Sequence, residues 1–500
     1  MLTSTLACNR AVFWSWLALL LLALPSLSCA SEVPVPDPTI ACRVTGVKTE
    51  ARCGHIVRPL DPARAGGPQI RVHFVVLRSV SRNRKPDPVF MLAGGPGQSA
   101  ISLAAAVLPW FERLLLQRDL VLVDQRGTGQ SAPLMCPSAP MLPFSWANAQ
   151  AQELAQCRTA LERLPYIAAP ADLGLFTTTL AMQDLDAVRQ ALGAEQINLV
   201  GASYGTRASL EYMRQFGAHV RRSVLDGMAP PDMVLPITIG PDSQTALDAL
   251  WASCGAQSHC QKAFPTLSAD WQVLWKNLPK VVTLAHPMTG QSTTVSVTPE
   301  AVMGAVRGAL YTPALAAALP QAVHDAARGH FEGLAGLESA VQNGAPHMRL
   351  AMGMHLGVVC AEDYPRMPAA ASPSAPNTDP QAHYRAACRD WPQGAVPADF
   401  YQIPATQHAS LLLSGGLDPV TPPRHAQRVQ QALGPLARHV VVPQAGHGVL
   451  SQACMHKVLT AFIQAADNAK ALAIDASCAQ SIPRPLAFVR PVEPSSGSAP

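Results

Sequence analysis

Charge is scarce in this chain and never gathers. Charged residues make up 14% of 500 positions, 37 basic against 33 acidic, for a formal net charge of +4. No basic run and no interleaving of basic with aromatic residues occurs, so the electrostatic footprint of a nucleic-acid binder is missing. No two cysteines stand at CxxC spacing, which removes the usual signature of a zinc or redox motif. No internal repeat is visible, and the glycine-rich stretches lack the lysine of a phosphate-binding loop. The N-terminal apolar run, Ala11 to Leu24, falls short of the roughly 20 residues that span a bilayer. What the chain has in quantity is apolar bulk. Hydrophobic residues reach 48%, enough for a large core and against wholesale disorder. The length accommodates one large domain with an insertion, or two ordinary ones.

Arg10 precedes the apolar run, and Pro25 and Ser28-Cys29-Ala30 follow it. This is the layout of a secretory leader over residues 1–30, with cleavage expected after Ala30. A lipoprotein anchored through Cys29 is the less favoured alternative, because Ser26-Leu27-Ser28 lacks the aliphatic residue expected three positions before the cysteine. A secreted or periplasmic protein is expected, with no stable membrane insertion once the leader is removed. Beyond it lie Cys42, Cys53, Cys136, Cys157, Cys254, Cys260, Cys360, Cys388, Cys454 and Cys478. An even number suits an oxidising compartment. Pairing between sequence neighbours is expected (42–53, 136–157, 254–260, 360–388, 454–478), since short loops close at low entropic cost.

The apolar runs alternate with helical periodicity. Strands are expected near 69–80, 88–92, 120–123, 197–200 and 220–225, and helices over 178–192 and 204–216. Strand 197–200 is continuously apolar, the mark of burial on both faces. From 229 to 403 the rhythm becomes helical, alanine-rich and broken by proline, which reads as an α-rich cap. Alternation resumes with strands at 410–413 and 440–442 and helices at 423–433 and 455–465. The expected fold class is therefore α/β, a mostly parallel sheet flanked by helices with an inserted cap. Its core occupies 31–228 and 404–482, ahead of a loosely ordered tail over 483–500.

Gly201-Ala202-Ser203-Tyr204-Gly205 stands between an expected strand and an expected helix. That is the context of a nucleophile elbow, in which a strained turn lifts a serine hydroxyl above the sheet. A serine needs a base, and the base needs an acid to fix its tautomer. Asp418 follows strand 410–413, and His447 follows strand 440–442, which is the chain order Ser…Asp…His of the α/β-hydrolase fold. Ala93-Gly94-Gly95-Pro96-Gly97 follows the strand ending near Leu92, where this fold supplies an oxyanion donor. The amides of Gly95 and Tyr204 are the expected pair. Met348, Met352, Met354, His347 and His355 could suggest copper, but methionines four apart are more often helix core. No metal or other cofactor is expected.

Taken together, Gly94-Gly95-Pro96-Gly97, Asp124-Gln125-Arg126-Gly127-Thr128-Gly129-Gln130-Ser131, the elbow, Asp418 with Thr421-Pro422, and Gly446-His447 resemble the proline-iminopeptidase and tripeptidyl-aminopeptidase family. The likeness is strongest to its exported branch, over residues 70–230 and 355–480. It implies a serine exopeptidase that acylates on the N-terminal part of a peptide and then hydrolyses the acyl-enzyme. Ala93 departs from the histidine that many iminopeptidases carry there. Asp124 reads as structural, with Arg126 tethering nearby loops. An aminopeptidase must also meet a free α-ammonium with a carboxylate. Cys360-Ala361-Glu362-Asp363 resembles a stretch of the exported members, making Glu362 the first candidate and Asp363 the second. Peptides are the expected partners and a monomer the expected state. An esterase or lipase on the same scaffold is the alternative within enzymes, and a silent binding protein the alternative outside them.

Overall fold

The computed structural model describes residues 37–137, 143–144, 150–343, 349–368 and 381–491. The expected leader, His347 and Met348, and the proline-rich stretch 369–380 lie outside the described residues. Eleven strands are present among them: β1 (Thr39–Cys42), β2 (Ala51–Pro59), β3 (Gln69–Leu77), β4 (Val89–Leu92), β5 (Leu120–Val123), β6 (Ile197–Ala202), β7 (Val220–Asp226), β8 (Lys280–Ala285), β9 (Ser292–Val297), β10 (Ser410–Gly415) and β11 (Ala437–Val442). Nine of them form one sheet in the order β1-β2-β3-β5-β4-β6-β7-β10-β11. The strands from β5 onward in that order are parallel, while β1, β2 and β3 pair antiparallel.

Alternation along each buried strand builds two layers at once. Phe90 and Leu92 of β4 join one core, with Leu199, Leu225 and Leu412. Val89 and Met91 join the other, with Val200, Val224 and Leu413. The helices Thr178–Ala191, Tyr204–Phe216 and Pro423–Leu433 cover the first face, while Ala104–Phe111 and Ala453–Gln464 cover the second. Because β4, β6, β7, β10 and β11 run the same way, the loops after them open on one edge. That edge is where open α/β sheets bind ligands.

The cap has its own core, running from Ala246 to Leu337 with Phe144. It is not purely helical. The hairpin β8–β9 lies within it, its polar residues turned outward and Leu284, Val295 and Val297 turned in. The buried apolar residues between Ala351 and Cys360, with Cys388 and Trp391, pack with the main core rather than the cap, so the chain re-enters the core well before the expected boundary at 403. The segment after 483 is also held more firmly than expected as far as Arg490. Phe488 N–H donates to the Ala317 carbonyl at 2.8 Å, and Arg490 bonds Asp325 at 2.9 Å.

Five disulfides join Cys42 to Cys53, Cys136 to Cys157, Cys254 to Cys260, Cys360 to Cys388 and Cys454 to Cys478. Among the described residues no helix is long and apolar enough to cross a membrane.

Candidate active site

Ser203 occupies the turn between β6 and the helix Tyr204–Phe216 with φ 56° and ψ −126°. A non-glycine residue with positive φ is uncommon and is held there only by its surroundings. Three hydrogen bonds supply that hold. Ser203 N–H donates to the Asp226 carbonyl at 2.8 Å, and the Ser203 carbonyl accepts from Thr206 N at 2.8 Å and Thr206 Oγ1 at 2.6 Å. The flanking glycines are required by contact. A Cβ on Gly205 would lie 2.2 Å from the Leu92 carbonyl oxygen, and one on Gly201 would lie 2.4 Å from the Gly205 carbonyl oxygen.

The loop after β10 carries Asp418, fully buried. Its Oδ1 accepts from Val420 N at 2.9 Å and Thr421 N at 2.8 Å, and its Oδ2 from Thr421 Oγ1 at 2.7 Å. Oδ2 also lies 2.8 Å from Nδ1 of His447, in the loop after β11. That contact assigns the proton to Nδ1 and leaves Nε2 free to act as a base. Burial pulls the His447 pKa down, but the charge and hydrogen bond of Asp418, with the charge of Asp226, outweigh it and leave it raised. Burial raises the Asp418 pKa, yet His447 and the two amides prevail and hold the carboxyl below its ordinary value.

The cap also touches the histidine. Tyr311 ends the helix Pro299–Leu310, and its carbonyl accepts His447 N–H at 2.9 Å. Its ring meets the imidazole edge-on at 4.8 Å between centroids.

The backbone at Gly94 passes so near Ser203 that a Cβ there would lie 3.0 Å from the Ser203 Cβ. His355 steadies this loop: Nδ1 lies 3.2 Å from the Pro96 carbonyl and Nε2 lies 3.0 Å from the Tyr384 hydroxyl. Burial lowers the His355 pKa despite Pro96 and Asp363. The neutral ring can therefore donate at Nδ1 and accept at Nε2. Ala351 N–H donates to the Gly97 carbonyl at 2.9 Å. Tyr204 is the first residue of its helix, where amides lack intrahelical acceptors. Thus the Tyr204 amide immediately follows Ser203, and the Gly95 amide follows Gly94, whose backbone passes beside that serine.

Glu362 and Asp363, the expected amine acceptors, are both fully buried. Glu362 accepts from Thr178 N at 2.7 Å and Thr178 Oγ1 at 3.0 Å. Arg207 reaches Asp363 with two bonds at 3.1 Å and approaches Glu362 at 3.5 Å. The Tyr204 hydroxyl lies 2.6 Å from Thr178 Oγ1, which links Glu362 to the residue after the elbow serine. Burial pushes Glu362 up to about 7, against the opposing pull of Arg207 and Thr178. The two acids hold an internal ion cluster and present no surface to solvent.

Around the loop after β5, Asp124 takes Ser99 Oγ at 2.6 Å and the amides of Ile101 and Gln130 at 3.1 Å. Arg126 pairs with Asp184 at 2.8 and 3.0 Å and donates to the carbonyls of Leu60 and Leu175. Among the described residues no group of three His, Cys, Asp or Glu could hold a metal ion.

Asp226 and Gly227 were not singled out by sequence reasoning. Asp226 accepts the amides of Val449 and Leu450 at 3.0 and 2.8 Å. A Cβ on Gly227, where φ is 70°, would lie 3.1 Å from Cε1 of His447. Their position could have signalled them, because an acid-glycine pair closing the strand after the elbow must fall on the same sheet edge as Asp418 and His447.

Sheet order, crossover helices and elbow define an α/β-hydrolase fold. Residues 87–252 match the family described as the alpha/beta hydrolase fold, and residues 375–478 match the family described as TAP-like protein. The chain is 30% identical over 223 residues to a tripeptidyl aminopeptidase of Streptomyces lividans, covering 41% of this chain and 38% of that protein. It is 28% identical over 201 residues to the serine protease Hip1 of Mycobacterium tuberculosis, covering 36% of each. It is also 29% identical over 237 residues to a carboxylesterase B of Mycobacterium tuberculosis, covering 44% of each. The chain thus spans under half the length of these curated relatives.

Proposed function

We propose that this protein is an exported serine exopeptidase that removes residues or short peptides from peptide N-termini. The observation that carries the chemistry is Ser203 at positive φ on the edge where Asp418 and His447 lie 2.8 Å apart. Ser203 Oγ attacks the scissile carbonyl carbon while His447 Nε2 takes its proton. The oxyanion forms facing the amides of Gly95 and Tyr204. As the tetrahedral intermediate collapses, the C–N bond breaks and His447 passes the proton to the leaving amine. Water then adds to the acyl-enzyme by the same route and releases the N-terminal product. Asp418 stays ionised throughout and stabilises the imidazolium.

The peptidase reading is supported by the similarity to tripeptidyl aminopeptidases and to a serine protease. The cap over the sheet edge suits access by chain ends. The five disulfides support an oxidising compartment, hence export. Glu362 and Asp363 carry one acid more than Arg207 balances, which favours a cation nearby. Their burial, however, favours a role in holding Arg207 and Thr178 behind Tyr204.

A second reading, an esterase, is favoured by the similarity to carboxylesterase B. A panel of tripeptidyl and aminoacyl amides, their N-acetylated counterparts and short acyl esters separates the two. Free-amine amides should be turned over and N-acetylated ones resisted, with Ser203→Ala inactive on all. Turnover of esters alone would defeat the peptidase reading. In the same panel, Glu362→Gln tests the amine role: a rise in KM confined to free-amine substrates would assign Glu362 to the ammonium.

A further inference from the structure

We propose that Asp226 is a positioning residue that ties the nucleophile and the base to one rigid point. The inference rests on the assignment of Ser203 and His447 above. Asp226 is the last residue of β7, paired in register with Ala202 of β6 on one side and Leu413 of β10 on the other. Its two halves do different things. The backbone carbonyl accepts the amide of Ser203 at 2.8 Å. The carboxylate reaches forward to the histidine loop, Oδ1 accepting Val449 N at 3.0 Å and Oδ2 accepting Leu450 N at 2.8 Å. Those residues stand two and three positions after His447.

A carboxylate is costly to bury without a full counter-charge. Asp226 is 1% exposed, and among the described residues no arginine or lysine bonds it. Such a group would be an odd choice for a purely structural link. A serine or asparagine could hold one loop amide at far lower desolvation cost. What only the carboxylate supplies is two acceptors for two amides, together with a negative charge beside His447. The ionisable groups around the imidazole are Asp418 from the loop after β10, Asp226 from β7 and Tyr311 from the cap helix. Asp226 in turn faces His447 and Asp418. Burial pushes its pKa up to about 6, with the two amides and His447 pulling the other way and Asp418 adding to the rise. The imidazolium formed during attack is then favoured by the charges of both Asp418 and Asp226. The charge favours protonated His447, so its loss should lower the pH at which the base becomes available.

The test compares wild type with Asp226→Asn and Asp226→Ser, with kcat expressed per site titrated by a fluorophosphonate. Either variant should lose about 10- to 100-fold in kcat per site, with KM little changed, because the base is displaced rather than the substrate. The acid limb of the pH profile should move down by about half a unit. A variant with lower melting temperature but an unchanged kcat per site and an unchanged limb would overturn the proposal. If neither variant folds, hydrogen exchange on wild type decides. The amides of Val449 and Leu450 should be protected, and exchange at the rate of an open loop would overturn it. Failure of the underlying assignment looks different, since wild type would then not titrate at Ser203.

Discussion

At the scale of single residues, the site depends on what is small as much as on what reacts. The imidazole of His447 lies beside Gly227, where a Cβ would come within 3.1 Å of Cε1 and the ring would have to give by a few tenths of an ångström. Gly227→Ala should therefore lower kcat by roughly 10-fold, less than the about 100-fold expected of a full ångström displacement, while the fold persists. Single-turnover kinetics with circular dichroism checks it; an unchanged acylation rate would show that the ring has room to spare. Ser203, Asp418 and His447 were legible because each follows an apolar strand in the order this fold demands. Asp226-Gly227 was not, because an aspartate-glycine pair after a strand is also an ordinary turn signal. Glu362 was legible only as an acid near a cysteine. Its burial against Thr178 depends on how the cap returns to the core, which no local pattern encodes.

At the scale of elements, a buried ion pair ties the loop after β5 to the helix Thr178–Ala191. Arg126 and Asp184 are each 1% exposed, and Asp184 also takes Arg58 at 3.1 Å. Removing one partner leaves a buried charge uncompensated, whereas replacing both by apolar groups does not. Asp184→Asn should cost about 3–5 kcal/mol in urea denaturation, and Arg126→Met with Asp184→Leu should recover most of it. Equal losses in both would place the effect in packing rather than charge. Strands β4, β5, β6, β7 and β10 were legible as apolar runs because both faces are covered. β2 was missed for the opposite reason. Its residues Arg52, His55 and Arg58 interrupt any run, since it lies toward the antiparallel side of the sheet and is only half buried. The hairpin β8–β9 was hidden in the same way, by its exposed serines and threonines.

At the scale of the whole molecule, two bodies of structure meet at the base. The main sheet supplies Asp418 and Asp226, and the cap supplies the Tyr311 carbonyl that holds the His447 amide. The cap thus touches the base directly through Tyr311. Its outline was legible from the change of rhythm after Ala229, but its early return at Ala351 was not, because that stretch is as apolar as the helices before it. The pinning of the tail by Arg490 escaped composition for a similar reason: prolines and serines describe a loop, and only the fold says what the loop lies against. The central claim, that Ser203 is the nucleophile of an acyl-enzyme served by His447, is tested most directly by mapping a fluorophosphonate adduct by mass spectrometry. One adduct is expected on Ser203, absent in Ser203→Ala and formed at least about 1000-fold more slowly in His447→Ala. An adduct on another residue, or one formed at the wild-type rate without His447, would contradict it.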